Sequence, residues 1–368
     1  MAGMFPAPAQ PEILPHNTTG DGGPAIQAQI DGPMRVAIDG SGNLYIYQQA
    51  DEWKGVRQAG VVLGSIRRVD ASTQKIETVA TACGAPWQKP RPECLASSVT
   101  HMEAASSGRL LLAESTGNRL RELDLLTGQY FTIVGGGDGS DSGAASPSLR
   151  TPMGFALDES GDIFLSDSGH QRILRVDRKA TTITTIAGNG RRGYAGDGGP
   201  AVDAKFDWPS GLAVGRSGDL YIADSGNHRI RRVDARTGVV ETIAGAGDGT
   251  FLGEGGPATN AQIGLVNQIA LDRAGNLFFL TDARICRIDR SSGILTTVAG
   301  TGQSGFSGDG DLATKALIAP DGLAVDHEGN LFIAEYANSR IRRIDAKTGI
   351  ITTVAGNGTP HRQGRPGA

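Results

Sequence analysis

One short motif recurs six times along this 368-residue chain, and its spacing constrains the fold more than any other feature. The clearest copy reads RIRRVD at residues 229–234. The closing aspartates of the copies are Asp70, Asp124, Asp177, Asp234, Asp289 and Asp345. They lie 53 to 57 residues apart, which is the signature of a repeat architecture. The repeat therefore argues for one array of equal units, although the length alone would allow two or three domains.

Residues 209–245 show what one unit builds. Four β-rich runs, GLAVG, YIAD, RIRRVD and VVETIAG, are separated by turns rich in Gly, Asp and Asn. The inner runs are apolar at successive positions, as in strands that are buried on both faces. A four-stranded sheet covered on both sides by sheets of its own kind is a propeller blade. We therefore predict an all-β fold, a six-bladed β-propeller with four antiparallel strands per blade.

The copies also set the expected boundaries. We predict first strands that begin near Pro33, Val99, Pro152, Pro209, Val266 and Pro320. Residues 1–30 form an N-terminal segment with the ring-closing connection, residues 31–358 the single propeller domain, and residues 359–368 a C-terminal tail. The connections carry GDGGPA at residues 20–25 and 196–201, or variants of it. We interpret this motif as turn chemistry that needs positive φ. No strand-to-helix context or following lysine supports a phosphate-binding loop.

Composition excludes several classes of protein. The 54 glycines suit a fold with many tight turns, and the net charge of −4 argues against a nucleic-acid-binding protein. No apolar run approaches the ~18 residues of a membrane span. Residues 1–16 lack the basic and apolar regions of a signal peptide. We nevertheless expect a secreted or periplasmic bacterial protein whose signal has been removed.

The repeat resembles that of the NHL family, named for an Asn-His-Leu element. NHRI at residues 227–230 matches this element, while GDLYIAD at 218–224, GLAVD at 322–326 and TGIITTVAG at 348–356 resemble its other parts. The resemblance runs from about residue 20 to residue 358 and is specific for fold. It implies a ligand-binding, sensor or interaction domain. A minority of such propellers are lyases or hydrolases.

The polar residues around the NHRI turn have counterparts in the sister copies. Arg229 matches Arg119, Arg172 and Arg340, and the acid that ends the second strand is Glu114, Asp167, Asp224 or Glu335. We predict that each acid pairs with its arginine to pin the turn. His228 is replaced by Asn118, Gln171 and Ser339, so we expect it to be a solvated turn residue, like His170. No two histidines have the spacing of a zinc finger.

The first strands diverge where they should approach the central channel. Gly154, Gly211 and Gly322 occupy a position that is Arg35, His101 or Gln268 in the other copies. Glu103 replaces an alanine, and Asn267 and Asp321 precede the glycine position. We predict that these polar groups collect on one arc of the channel mouth, unless they are simply hydrated. Trp53, in the insertion at residues 49–64, is a candidate ligand platform or part of a capping loop.

Two functions fit this arc. The first is a monomeric binding module whose top-face mouth takes a small molecule, an extracellular polymer or a protein, with Asn267, Gln268, Asp321 and Trp53 as ligand contacts. It binds no nucleic acid and spans no membrane. The alternative is a hydrolase of lactones, esters or phosphotriesters, in which His101 is the general base, Glu103 orients it or binds a cation, and Arg35 holds an anionic group. A lyase ranks third, because only His101 among the histidines lies at the channel.

A cofactor enters only through resemblance. The stretch PDGLAVD at residues 320–326 looks like a strand of the gluconolactonase and paraoxonase propellers. That likeness implies a divalent cation at the mouth, which would be calcium, held by Glu103, Asn267 and Asp321. Glu103 lies one pleat away from the position at which the family carries its glutamate.

Cys83 and Cys94 bracket the proline-rich stretch GAPWQKPRPE, and we predict that they form a disulfide. Closing a loop of this size stabilises the fold by roughly 3 kcal/mol in the chain-entropy model. Peptide mass spectrometry without reduction should show Cys83 joined to Cys94, with Cys286 free. Alkylation of the thiols at positions 83 and 94 would contradict the disulfide and the oxidising compartment that it implies.

Overall fold

The computed structural model describes residues 19–50, 63–81, 95, 98–105, 108–136, 147–179 and 182–359. Trp53, Cys83 and Cys94 lie outside these residues, so the ligand platform and the disulfide stay predictions. Cys286 is buried and unpaired in the described part. Burial raises the pKa of its thiol to about 12, as expected for a thiol in apolar surroundings.

The fold is the predicted six-bladed β-propeller. Each blade is a sheet of four strands in chain order, all pairs being antiparallel. Blade 1 contains β1 (Pro33–Ile38), β2 (Leu44–Ala50), β3 (Leu63–Val69) and β4 (Ile76–Thr81). Blade 2 contains β5 (Val99–Ala105), β6 (Arg109–Glu114), β7 (Arg119–Asp124) and β8 (Tyr130–Gly135). Blade 3 contains β9 (Pro152–Leu157), β10 (Ile163–Asp167), β11 (Arg172–Asp177) and β12 (Thr182–Ala187).

The second half of the ring repeats this plan. Blade 4 contains β13 (Pro209–Val214), β14 (Leu220–Asp224), β15 (Arg229–Val233) and β16 (Val240–Ala244). A short hairpin of β17 (Phe251–Leu252) and β18 (Gln262–Ile263) follows. Blade 5 contains β19 (Ile269–Leu271), β20 (Leu277–Thr281), β21 (Arg284–Ile288) and β22 (Leu295–Ala299). Blade 6 contains β23 (Gly322–Val325), β24 (Leu331–Glu335), β25 (Arg340–Ile344) and β26 (Ile351–Ala355).

Helix is confined to short 3-10 turns in the described residues: Ala25–Gln27, Ser168–His170, Ala201–Asp203, Ser225–Asn227, Ala258–Asn260 and Ala313–Lys315. None of the described helices has the length and apolarity to cross a membrane. The expected first-strand starts hold for blades 1 to 4. In blades 5 and 6 the first strand begins three and two residues later than expected. Its hydrogen-bond ladder with the second strand is broken where the other blades carry a bulge.

The hydrophobic core lies between the blades. Six clusters of buried residues each join one face of a blade to the facing side of the next. The last cluster joins Ala28 and Ile30 to Ile341 and Ala355. There the ring closes, since Gly356 N donates to Ala25 O at 3.0 Å, as Gly188 N does to Ala201 O at 2.9 Å.

The repeated closing aspartate caps the turn between the third and fourth strands. Asp234 Oδ1 accepts the backbone N–H groups of Arg236 at 3.1 Å and Thr237 at 2.8 Å. These hydrogen bonds favour the carboxylate and lower the pKa of Asp234. Asp345 makes the same contacts, and its pKa falls to about 2. The residue that marks the repeat in the sequence is thus a turn cap.

The acid of GDGGPA binds a buried arginine on the third strand. Arg231, fully buried, donates to Asp197 at 2.7 Å and to the carbonyl oxygens of Lys205 at 2.9 Å and Ala195 at 3.1 Å. The same arrangement joins Arg67 to Asp21 and Arg342 to Asp309. Each arginine therefore ties one connection to the blade that follows it.

We predict that Arg231→Ala lowers the free energy of unfolding by about 3 kcal/mol, because it removes the buried guanidinium that ties Asp197 and the carbonyl oxygens of Lys205 and Ala195 to blade 4. The neighbouring Arg232 is the matched control. It is a third exposed and pairs with the half-exposed Glu241 at the surface, so Arg232→Ala should cost less than about 1 kcal/mol. Urea unfolding followed by circular dichroism measures both. Equal losses would contradict the assignment of Arg231.

The acids that end the second strands receive the incoming connection. Asp224 Oδ1 accepts from Asp207 N at 2.8 Å, and Asp167 and Glu335 accept from Arg150 N and Ala319 N. In blades 2 and 3 the acids that end the second strands, Glu114 and Asp167, pair with Arg119 and Arg172, as predicted.

The predicted pairing is wrong in blades 4 and 6, where an aromatic ring from the connection takes the arginine. Arg229 donates to the carbonyls of Asn227 and Ala246, and its guanidinium lies 3.9 Å from the centre of the Tyr194 ring. Arg340 lies over Phe306 at the same distance. Stacking on a ring satisfies the guanidinium without the second-strand acid.

Burial raises the pKa of Asp224 to about 6, against the opposing effects of the Asp207 N–H, Asn227 and Arg231. The folded state therefore holds a proton that the unfolded chain has lost, and stability falls as pH rises from about 4 to about 6. We predict that Asp224→Asn removes this decline, which amounts to about 3 kcal/mol. Unfolding free energies measured at pH 4 and pH 7 test it. Parallel pH profiles for parent and variant would contradict the raised pKa.

Candidate functional site at the channel mouth

The mouth lies where the first strands begin and the second strands end, as the pairing of Pro209 with Asp224 shows. The pleat sends the side chains of a first strand alternately toward the preceding and the following blade. Phe155 of β9 packs against Leu111 and Ala113 of blade 2, whereas Gly154 faces blade 4. Side chains of the first strands therefore enter the seams between blades.

The regular glycine of the first strand is required by close packing. A Cβ at Gly154 would lie 2.5 Å from Ser210 O, one at Gly211 would lie 2.8 Å from Asn267 O, and one at Gly322 would lie 2.6 Å from Met34 O. Three of the six seams thus bring backbone against backbone. In the other three seams, long side chains occupy the glycine position.

Arg35 ties blade 1 to both of its neighbours. Its Nε donates to Thr100 O of blade 2 at 2.5 Å, and its Nη1 donates to Asp321 O of blade 6 at 2.9 Å and to Met34 O at 2.7 Å. Desolvation lowers the pKa of Arg35, while the charges of Asp321 and Tyr47 act in the opposite direction. Among the described contacts only Nη2 is left for an anionic ligand group.

Gln268 makes the corresponding tie between blades 5 and 6. It is buried, and its Oε1 accepts from Leu323 N at 2.8 Å. Small hydroxyl residues tie the remaining seams. Thr100 Oγ1 donates to Pro152 O at 2.8 Å, Ser166 Oγ to Ser210 O at 2.5 Å, and Ser210 Oγ to Asn267 O at 3.2 Å. Each of the six seams therefore holds a hydrogen bond between a side chain and the backbone.

His101 and Glu103 face the same side of β5, as the strand period predicts. His101 Nε2 lies 3.5 Å from Glu103 Oε1, and the two side chains are 14% and 33% exposed. The His101 ring meets Phe155 of blade 3 edge-on, with 4.8 Å between ring centres. His101 Nε2 is buried and has no hydrogen-bond partner in the described part. This pair is the ionisable feature of the seam between blades 2 and 3.

Asn267 and Asp321 are exposed at the mouth. Asp321 Oδ2 accepts from Tyr336 N at 2.9 Å. Desolvation of this carboxyl raises the pKa of Asp321, although the Tyr336 N–H and Arg35 oppose the rise. Both residues belong to adjacent blades and leave polar atoms for a ligand.

The calcium site expected from Glu103, Asn267 and Asp321 stays a prediction. Glu103 is turned toward His101 in its own seam, one Asp321 oxygen is bonded to Tyr336, and no contact among the described residues joins Glu103, Asn267 and Asp321. The described part also contains no group of three His, Cys, Asp or Glu placed around a common metal position. We derive no chemical step through a cation.

Sequence reasoning missed two apolar residues at the rim. The residue before the first strands is Gly32, Ser98, Thr151, Trp208, Leu265 or Ala319. Trp208 is 40% exposed and Leu265 is 50% exposed, and they belong to adjacent blades. Trp208 has a φ of 49°, which is rare for a bulky side chain. Comparing this position among the copies would have found both.

His228 is a structural link, and the expectation of a solvated residue is wrong. Its φ is 52°, and its Nδ1 lies 3.1 Å from Gly264 O of the next connection. Asn118 and Gln171 occupy the same left-handed position and accept from Thr151 N and Trp208 N. The varied residue of the NHL-like turn therefore anchors the start of the following blade. His170 instead contacts Asp167 Oδ2 at 2.9 Å.

The curated relatives share part of this chain. Residues 206–233 match the NHL repeat family, and residues 256–359 match the SMP-30/Gluconolactonase/LRE-like region. Protein SUPPRESSOR OF QUENCHING 1, chloroplastic, of Arabidopsis thaliana is 28% identical over 67% of this chain and 24% of its own length. NHL repeat-containing protein 2 of Gallus gallus is 26% identical over 59% of this chain and 32% of its own length. This chain thus spans a third or less of these relatives.

A solved structure shares the fold. The auxiliary nutrient binding protein from Bacteroides ovatus superimposes with a TM-score of 0.61 at 16% identity, over 92% of this chain and 72% of that one. Identity this low supports the architecture alone. Together, the NHL repeat at residues 206–233, the related sequences and the closed ring of six four-stranded blades show that the chain is a six-bladed β-propeller that contains an NHL repeat.

Proposed function

We propose that this propeller is a ligand-binding module that takes a small molecule or an extracellular polymer or protein at the rim of the channel mouth. The observation that carries the proposal is the exposed Trp208 in a left-handed conformation, beside the exposed Leu265 of the next blade. The same left-handed φ occurs at the matching Gly32 and Thr151, so the repeat sets this conformation, and only the exposed indole is particular to blade 4. An exposed aromatic residue and an exposed aliphatic residue on adjacent blades suit an apolar ligand face.

Polar contacts for the same ligand lie next along the ring. Asn267 and Asp321 are exposed, and Asp321 keeps Oδ1 free of hydrogen bonds in the described part. Arg35, expected as a contact, has its Nε and Nη1 in bonds between blades, and Gln268 has its Oε1 in such a bond. The binding surface therefore centres on blades 4 to 6. A secreted or periplasmic location belongs to this proposal and depends on the predicted disulfide.

We predict that Trp208→Ala weakens ligand binding by about ten-fold or more, because exposed aromatic anchors dominate such interfaces. A thermal-shift panel of saccharides, amino acids and lactones identifies a stabilising compound, and calorimetry then compares the variants. Leu126→Ala is the control, since Leu126 is 94% exposed on a turn at the opposite face. If Trp208→Ala and the parent bind the compound equally, the rim is not the site.

A hydrolase is the second candidate, and the His101–Glu103 pair favours it. A half-buried imidazole beside a carboxylate can accept a proton from water near neutral pH. The match of residues 256–359 to the gluconolactonase-like region supports the same reading. A panel of lactones, esters and phosphotriesters, with elemental analysis for calcium, tests it. Turnover that His101→Gln abolishes would support catalysis, and turnover that survives His101→Gln and Glu103→Gln would place the chemistry elsewhere.

A further inference from the structure

We propose a second binding site, for a phosphate or sulfate group of a small ligand, on the face opposite the mouth. A cleft of about 180 Å³ opens between blades 4 and 5. The guanidinium-bearing residues that line it are Arg216, Arg273 and Arg290. The first two come from the turns between the first and second strands, and the third from a turn between the third and fourth strands. Three arginines around one concave surface suit an oxyanion.

The sister turns show that the charge is particular to this place. The turn residue matched to Arg216 and Arg273 is Gly40 in blade 1, Glu159 in blade 3 and His327 in blade 6. Arginine thus occupies this position in the two adjacent blades that form the cleft. Neither Arg216 nor Arg273 makes an ion pair with any described residue, and both are exposed.

Blade 4 also lacks the acid that caps the sister turns. Asp39, Asp158 and Asp326 each accept two backbone N–H groups within their turn. Gly215 takes this place in blade 4, yet the turn keeps its shape through Gly218 N donating to Gly215 O at 2.8 Å. The fold therefore does not need a carboxylate at this position. Its absence removes a negative charge from the cleft.

The third arginine differs from its counterpart in a sister seam. Arg178, at the matching turn of blade 3, pairs with Glu122 of blade 2 at 2.7 Å. The residue of blade 4 that corresponds to Glu122 is Arg232, which pairs with Glu241. Arg290 forms no ion pair with a described residue across its seam and lies along Gly275, where a Cβ would be 2.7 Å from Arg290 Cδ.

The acids near the cleft are already engaged. Asp272 accepts from Asn276 N at 2.8 Å and from Asn276 Nδ2 at 2.7 Å. Asp219 accepts from Ser217 Oγ and Ala235 N, both at 3.0 Å. Elsewhere on the surface, exposed arginines such as Arg68, Arg175 and Arg192 pair with acids. With three arginines against Asp272 in its lining, the cleft keeps a local positive charge on a protein whose net charge is −4.

Calorimetric titration of the whole protein with inorganic pyrophosphate at low ionic strength tests the proposal. We expect binding by the parent and a loss of affinity of about ten-fold or more in Arg216→Gln/Arg273→Gln. The matched control, Lys75→Gln/Lys347→Gln, removes the same charge from exposed turn residues of blades 1 and 6, and should retain affinity within about two-fold. Circular dichroism and the thermal midpoint verify that both variants are folded.

Two further arms define the ligand. Binding of inorganic sulfate as tight as that of pyrophosphate would identify a general tetrahedral oxyanion site, and weaker sulfate binding would identify a phosphate site. Amide shifts in NMR spectra at residues 215–218 and 272–275 would locate either one in the cleft. The proposal is overturned if the parent does not bind pyrophosphate, if acetate binds equally well, or if the control variant loses as much affinity as the cleft variant.

Discussion

The propeller depends on buried arginines that hold the long connections against the blades. A buried guanidinium needs an acid and several acceptors, because an unpaired charge in the interior is costly. Arg231 obtains one carboxylate oxygen from Asp197 and two carbonyl oxygens from the preceding connection. The side chain thereby determines the course of a connection that has little regular structure of its own. Arg67 does the same for the connection that closes the ring.

Two blades lack this buried arginine, and their packing is consistent with the cost of burying an unpaired charge. Leu174 and Cys286 occupy the arginine position in blades 3 and 5 and are buried there. An apolar residue at this place removes the need for a partner, so the blade remains packed. Where the arginine is present in blade 2, Glu114 of the same blade accepts from it. The charge is thus either satisfied or absent.

The two faces of the ring use departures from the repeat in different ways. At the mouth, Arg35 and Gln268 depart from glycine and are consumed mainly by bonds between blades. Trp208, Leu265 and Asn267 depart from their sister residues and stay exposed. At the opposite face, Arg216 and Arg273 depart and have no described ion-pair partner. A departure therefore indicates a binding surface only when the side chain is not already used by the fold.

The sequence by itself determined the number of blades, the four strands of each and the closing turn, because these depend on local periodicity and on turn residues such as Asp234 that act within a few positions. It also placed His101 and Glu103 on one side of β5, since a strand has a period of two. Tertiary structure decided what each divergent residue does. Whether Arg35 meets a ligand or a carbonyl oxygen, whether Arg229 pairs with an acid or stacks on Tyr194, and which arginines share a cleft all depend on contacts between blades. Those contacts join residues that are tens to hundreds of positions apart, and their distances follow from the closure of the ring.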